Sequence, residues 1–133
     1  MFNDYILVLG KQSEDIQALE SLLGRLRCSV AVASCADQAV AQASQTLPYL
    51  VILSGDRQDW PPNLVKQLRQ MARVCGTTIV ALTDFHAPSW LHKEENPGVD
   101  GYLVKPIEGD VLCSLVQSAW ARQSCLHAAV CQN

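Results

Sequence analysis

The stretch Leu50-Val51-Ile52-Leu53-Ser54 constrains this chain more than any other. It is a short apolar run rich in branched side chains, with Pro48 before it and Gly55-Asp56 after it. Such a run reads as a strand buried on both faces, as in a parallel sheet covered by helices. In an open α/β sheet, ligands bind just beyond the carboxyl ends of the strands. The residue delivered to that place is Ser54, a hydroxyl rather than an acid.

The remaining segments alternate around this strand. Tyr5-Ile6-Leu7-Val8-Leu9 reads as a first buried strand, ended by Gly10-Lys11. A helix is expected over 13–27, with Ser13 as N-cap and Ile16, Leu19, Leu22, Leu23 and Leu26 at helical spacing. Residues 28–33 suit a second strand, with Val30 and Val32 on one face. An alanine-rich helix over 36–45 can pack close to the sheet.

After the central strand comes a loop over 55–63, shaped by Trp60 and Pro61-Pro62. Leu64, Val65, Leu68 and Met71 mark a third helix, stopped near Gly76. A fourth strand is expected over 77–83. In the segment 84–97, Pro88 suits the first turn of a short helix and Pro97 ends it. Gly101-Tyr102-Leu103-Val104 is the fifth strand. The last helix starts near Glu108 and carries Val111, Leu112, Leu115, Val116, Ala119 and Trp120 on its inner side. Five strands alternating with five helices predict an α/β fold, a parallel sheet covered on both faces.

At 133 residues, 49% hydrophobic and 17% charged, the chain is one globular domain rather than a disordered segment. Ten basic and thirteen acidic residues leave a net charge of −3 with no basic run, which argues against nucleic-acid binding. No apolar segment reaches the ~20 residues of a membrane span, and no signal core follows a basic start. A cytoplasmic protein without membrane contact is therefore expected. The cysteines at 28, 35, 75, 113, 125 and 131 lack Cys-x-x-Cys or paired His spacing, so most of them read as small buried hydrophobes. Cys113, Cys125 and Cys131, near the C-terminus, leave intermolecular disulfides as a minor reading.

Thr83 ends the fourth strand, and the fifth lies in Val99-Asp100-Gly101-Tyr102-Leu103-Val104-Lys105-Pro106. With the strand–helix alternation, these residues resemble the receiver domain of two-component response regulators over residues 5–122. The resemblance implies a flavodoxin-like, doubly wound (βα)5 fold with strand order 2-1-3-4-5. It also implies that Lys105 stands where the family's lysine contacts a phosphoryl group, before a cis bond to Pro106. An X-Pro bond is where a cis peptide costs little. Thr83 matches the hydroxyl residue that follows the phosphoryl group, and Tyr102 the aromatic switch position.

The family's chemistry requires an aspartate at the end of the third strand and an acidic pair after the first to hold Mg²⁺, a hard cation favouring carboxylates. Ser54 occupies the acceptor position, and Gly10 and Lys11 occupy the acidic pair. The expectation is a pseudo-receiver over residues 1–122, with 123–133 a C-terminal extension that continues the last helix or frays. No catalytic residue, cofactor or metal is expected. Asp56, Asp84, Glu14 and Asp15 are candidates for a relocated acid, but they also read as solvated carboxylates, favoured by the helix dipole at Glu14 and Asp15. Lys105 then pairs with Asp56 or Asp84, or binds a small anion.

Such a domain acts through what it binds: a sensor kinase, a regulator or another domain of the same pathway. A homodimer remains open. In the family the contact face comprises the helix after the fourth strand, the fifth strand and the last helix. Here Phe85, Trp90, Leu91, Tyr102 and Leu126 fall on it, and Trp60 is a second candidate contact. Two alternatives stay open. One is a true phosphoreceiver with a relocated acid such as Asp56. The other is a flavodoxin-like ligand or redox domain, for which no Gly-rich phosphate loop speaks.

Overall fold

The computed structural model describes residues 5–11, 14–54, 62–83, 100–104 and 107–131, without the side chains of 62, 71–75, 83 and 124–131. Five strands form one parallel sheet in the order β2-β1-β3-β4-β5. They are β1 (Tyr5–Leu9), β2 (Ser29–Ala33), β3 (Leu50–Leu53), β4 (Thr78–Thr83) and β5 (Gly101–Val104). The described helices are α1 (Glu14–Arg25), α2 (Ala36–Gln45), α3 (Pro62–Cys75) and α4 (Gly109–Cys131). The helix expected within 84–97 lies outside the described residues. The sheet topology is the expected one.

Period-two alternation sorts the strands into two cores. Leu7, Leu9, Val51, Leu53, Ile79 and Ala81 face α2 and α3, meeting Ala39, Ala43, Leu64, Val65 and Leu68. Ile6, Val8, Leu50, Ile52, Val80 and Leu82 face α1 and α4, meeting Ile16, Leu19, Leu23, Leu112, Val116 and Ala119. Every residue of β3 is buried, as its unbroken apolar run requires. Each such side chain removed from water contributes about 1.5–3 kcal/mol, so the central strands anchor the fold.

Helix α1 ends two residues before the expected limit. Cys28 N–H donates to Leu23 O at 3.0 Å and Arg27 N–H to Gly24 O at 3.0 Å, with Arg27 at φ 61°. This is a Schellman cap whose left-handed position carries arginine instead of the usual glycine. The proposed N-cap Ser13 is outside the described residues. Helix α3 stops at Gly76, which adopts φ 71°, as expected.

The inner side of α4 is narrower than its sequence suggests. Leu112, Val116 and Ala119 are buried, whereas Val111 and Trp120 are 50% and 43% exposed. Residues 111 and 120 lie on opposite flanks of the stripe drawn by 112, 116 and 119, and the sheet reaches neither fully. Val32 is likewise exposed, because β2 is an edge strand. The cysteines also depart from expectation, since Cys35 is exposed and Cys28 and Cys113 are half-buried. The backbone of α4 continues without a break to Cys131. No described helix is long and apolar enough to cross a membrane.

Candidate functional site

The carboxyl ends of β1 and β3 meet where the resemblance places phosphoryl chemistry. Ser54 N–H donates to Leu9 O at 2.8 Å and Gly10 N–H to Ala33 O at 2.9 Å, extending the ladders of β1 with β3 and β2. Gly10 and Ser54 are thereby fixed side by side at the sheet's crest. Ser54 is 6% exposed, and Gly10 is also buried.

A side chain at residue 10 would require its neighbours to shift. A Cβ on Gly10 would lie 2.7 Å from Ile16 Cδ1 and 3.0 Å from Ser54 Cβ. Ile16, in the first turn of α1, is fully buried, so a hydrocarbon side chain lies against Gly10. Lys11, at the second position of the acidic pair, is exposed. A glycine, a lysine, a serine and an isoleucine offer no carboxylate oxygen, so these residues do not fit a hard divalent cation. Among the described residues, no three His, Cys, Asp or Glu side chains converge as a metal site.

Glu14 and Asp15 occupy the first turn of α1, where the helix dipole favours carboxylates. Tyr102 in β5 is half-buried and packs on the core cluster beneath α2 and α3. Burial pushes its phenol pKa above the ordinary value. Thr83 closes β4, its backbone paired with Val104. Lys105, Pro106, Asp56, Asp84, Phe85, Trp90, Leu91 and Trp60 lie outside the described residues, as does the side chain of Leu126. Of the proposed partner contacts, only Tyr102 is described with its side chain.

A second cluster, at the amino ends of the strands, was not singled out by its chemistry in the sequence. Asp100 precedes β5 and extends the β4–β5 ladder, its N–H donating to Ile79 O at 2.7 Å. Its Oδ2 accepts from Ile79 N–H at 2.8 Å and from Arg69 Nη2 of α3 at 2.8 Å. Arg122 Nη1 of α4 stands 3.6 Å from the same oxygen. One carboxylate thus ties the first rung of the last strand pair to helices on both sides of the sheet.

The same end carries aromatic contacts. Tyr49 and Trp120 meet edge to face, with ring centroids 5.5 Å apart. The Tyr49 hydroxyl lies 3.9 Å from Cys28 Sγ. Tyr5 OH donates to Thr46 O. A sequence signal existed only in part: Asp100 stood inside a recognised octet, but its arginine partners lie 31 positions before it and 22 after it.

No family model and no curated protein matches the chain by sequence. Its fold does match solved structures. A response regulator receiver domain from Clostridium thermocellum superposes with TM-score 0.76 at 18% identity, covering 93% of this chain and 99% of that one. A CheY-like response regulator receiver domain from Methylobacillus flagellatus gives TM-score 0.72 at 25% identity, covering 87% and 98%. The signal receiver domain of an HD domain-containing protein from Pseudomonas fluorescens Pf-5 gives TM-score 0.70 at 24% identity, covering 97% and 93%. The chain has the fold of response regulator receiver domains.

Proposed function

We propose that this chain is a pseudo-receiver, a signalling module of the two-component type that works by binding a protein partner without accepting a phosphoryl group. The observation that carries this reading is the side-by-side placement of Gly10 and Ser54 at the ends of β1 and β3, where neither brings a carboxylate, with a Cβ on Gly10 only 2.7 Å from Ile16 Cδ1. A hydrocarbon side chain, Ile16, lies beside the position where the family carries its acidic pair, and the acceptor position carries a hydroxyl. A serine hydroxyl cannot form the acyl phosphate of an aspartate. The receiver fold of the solved structures it resembles supports the signalling role.

Residues 1–122 form the interaction module in this reading, with 123–133 as its extension, and no enzymatic turnover is required of it. The partner is a sensor kinase, a regulator or another domain of the same pathway. It meets the surface built from β5, α4 and the segment between β4 and β5, with Tyr102, Phe85, Trp90 and Leu91 as contacts. Trp60 provides a second contact. Aromatic side chains at a rim supply large contact area and are frequent hot spots.

Native mass spectrometry after incubation with Mg²⁺ and acetyl phosphate tests the reading. The expected result is a mass identical to that of an untreated control. Addition of one phosphoryl group would show that another acid, foremost Asp56, has taken over acceptance, and the pseudo-receiver reading would fall.

A further inference from the structure

We propose that the free edge of β2 is a self-pairing surface, where a second copy of this chain adds its own β2 antiparallel and continues the sheet across a two-fold axis. β2 stands at one end of the strand order and, among the described strands, pairs with β1 alone. In a parallel ladder the N–H and C=O of one residue point to the same side, and those of the next residue to the other. Ala33 O accepts from Gly10 N–H at 2.9 Å, so Ser29, Ala31 and Ala33 turn their main-chain groups to β1. Val30 and Val32 therefore turn theirs outward.

The outward N–H groups on either side of these two residues are satisfied within the chain. Cys28 N–H donates to Leu23 O at 3.0 Å in the cap of α1, and Ser34 N–H donates to Gln38 Oε1 at 2.9 Å. Between these caps remain the N–H and C=O of Val30 and of Val32, a set symmetric about Ala31. An antiparallel ladder alternates hydrogen-bonded with non-hydrogen-bonded pairs. Centred on Ala31, such a ladder sets Val30 of one copy opposite Val32 of the other, twice over, and both pairs fall on hydrogen-bonded positions. Ala31 meets its own counterpart at the non-hydrogen-bonded position, where side chains come closest and a methyl group fits. Every outward group of the two valines finds a partner, and the two-fold operation closes the assembly.

The side chains agree with this register. Val30 packs on the core beneath α1 and α4, and Val32, whose register partner Val8 belongs to that core, is 40% exposed. Opposite residues of an antiparallel pair share a face, so the exposed Val32 gains Val30 of the other copy as its cross-strand neighbour. Residues 28–36 carry no charge, and β2 has none of the lysine, proline or bulge by which edge strands are kept from pairing. Charges stand only at the two ends, Arg27 before the strand and Asp37 after it, both exposed. The antiparallel arrangement brings the Arg27 end of each copy to the Asp37 end of the other, whereas an in-register parallel pairing would set like charges together. Charge and hydrogen-bonding pattern thus both select a second copy as the occupant. The acceptor position takes no part, so the pairing does not depend on the pseudo-receiver reading.

One short strand pair makes a small interface, so a dissociation constant on the order of 10–100 µM is expected. Sedimentation equilibrium of the full chain across that range, under reducing conditions that exclude disulfides, should show a monomer–dimer equilibrium. Val32→Lys places a charge on the exposed edge and should weaken dimerisation at least about tenfold, with circular dichroism unchanged. Ala31→Cys reads the register. A non-hydrogen-bonded pair brings the two Cα atoms to about 4.5 Å, within the range a disulfide spans, so mild oxidation should join two copies through position 31. A chain that stays monomeric at the highest concentration would overturn the proposal. A dimer unaffected by Val32→Lys would do so too, as would a cross-link from position 31 to Cys28 or Cys35, which would mark another register.

Discussion

The two ends of this sheet solve the same physical problem in opposite ways. At the carboxyl pole, backbone and hydrocarbon close the space, because Ile16 Cδ1 stands where a side chain on Gly10 would begin. At the amino pole, a carboxylate collects the backbone N–H of Ile79, Arg69 and Arg122 and leaves charge at the surface. The parallel α/β architecture favours ligands at the first pole, where the described residues Gly10, Lys11 and Ser54 bring no carboxylate, whereas Asp100 brings one to the second. A fold therefore specifies where a site can be built, and a few side chains decide whether it is.

The sharpest way to break this contrast is to force an acid into the closed corner. Gly10→Asp should destabilise the protein by about 2–4 kcal/mol, through overpacking against Ile16 and burial of a carboxylate. Lys11→Asp, at the exposed neighbour, should stay within about 0.5 kcal/mol of the parent. Urea denaturation of both variants measures the difference. Equal and small effects would mean that the corner opens readily, and the comparison between the poles would lose its basis.

A smaller effect is expected from cutting the charged pole. Asp100→Ala removes the acceptor for Ile79 N–H and for Arg69, and should cost about 1–3 kcal/mol. The lower part of that range is favoured by a side chain that is 26% exposed, because water screens the ion pair. Hydrogen exchange at Ile79 and Gly101 should quicken more than in β1 or β3. A uniform change across the sheet would show that Asp100 stabilises the domain globally and does not fasten the last strand in particular.

The smallest predicted change goes in the stabilising direction. Arg27 holds φ 61° at the end of α1, a conformation that costs a side chain about 1–2 kcal/mol and glycine almost none. Arg27→Gly should gain up to about 1 kcal/mol, a value reduced by glycine's greater freedom in the unfolded chain. Thermal unfolding checks it. A loss of stability would show that the Arg27 side chain makes contacts that outweigh its backbone strain.

Most of the architecture was legible in the residues. The short unbroken run Leu50–Leu53, between Pro48 and Gly55, read as a strand buried on both faces, and the apolar spacing of Ile16, Leu19 and Leu23 gave α1 its inner side. Gly76 marked the end of α3, because a left-handed turn is cheapest there. The end of α1 was harder to place, since an arginine takes the glycine's part at its cap. The outward tilt of Trp120 and Val111 also escaped the pattern: helical spacing tells which residues share a stripe, but the width of the stripe depends on how far the sheet extends beneath it.

The candidate site divides in the same way. The sequence by itself determined that Gly10, Lys11 and Ser54 bring no carboxylates to the crest of the sheet, because residue identity settles which donors exist. Only the tertiary structure decided that Ile16 crowds Gly10, since that depends on where α1 lays its side chain against a glycine six positions earlier. It likewise decided that Asp100, Arg69 and Arg122 act together. Local pattern reaches only a few positions along a chain, whereas a parallel sheet gathers helix ends from distant segments at one pole, where charge interactions depend on separation in space.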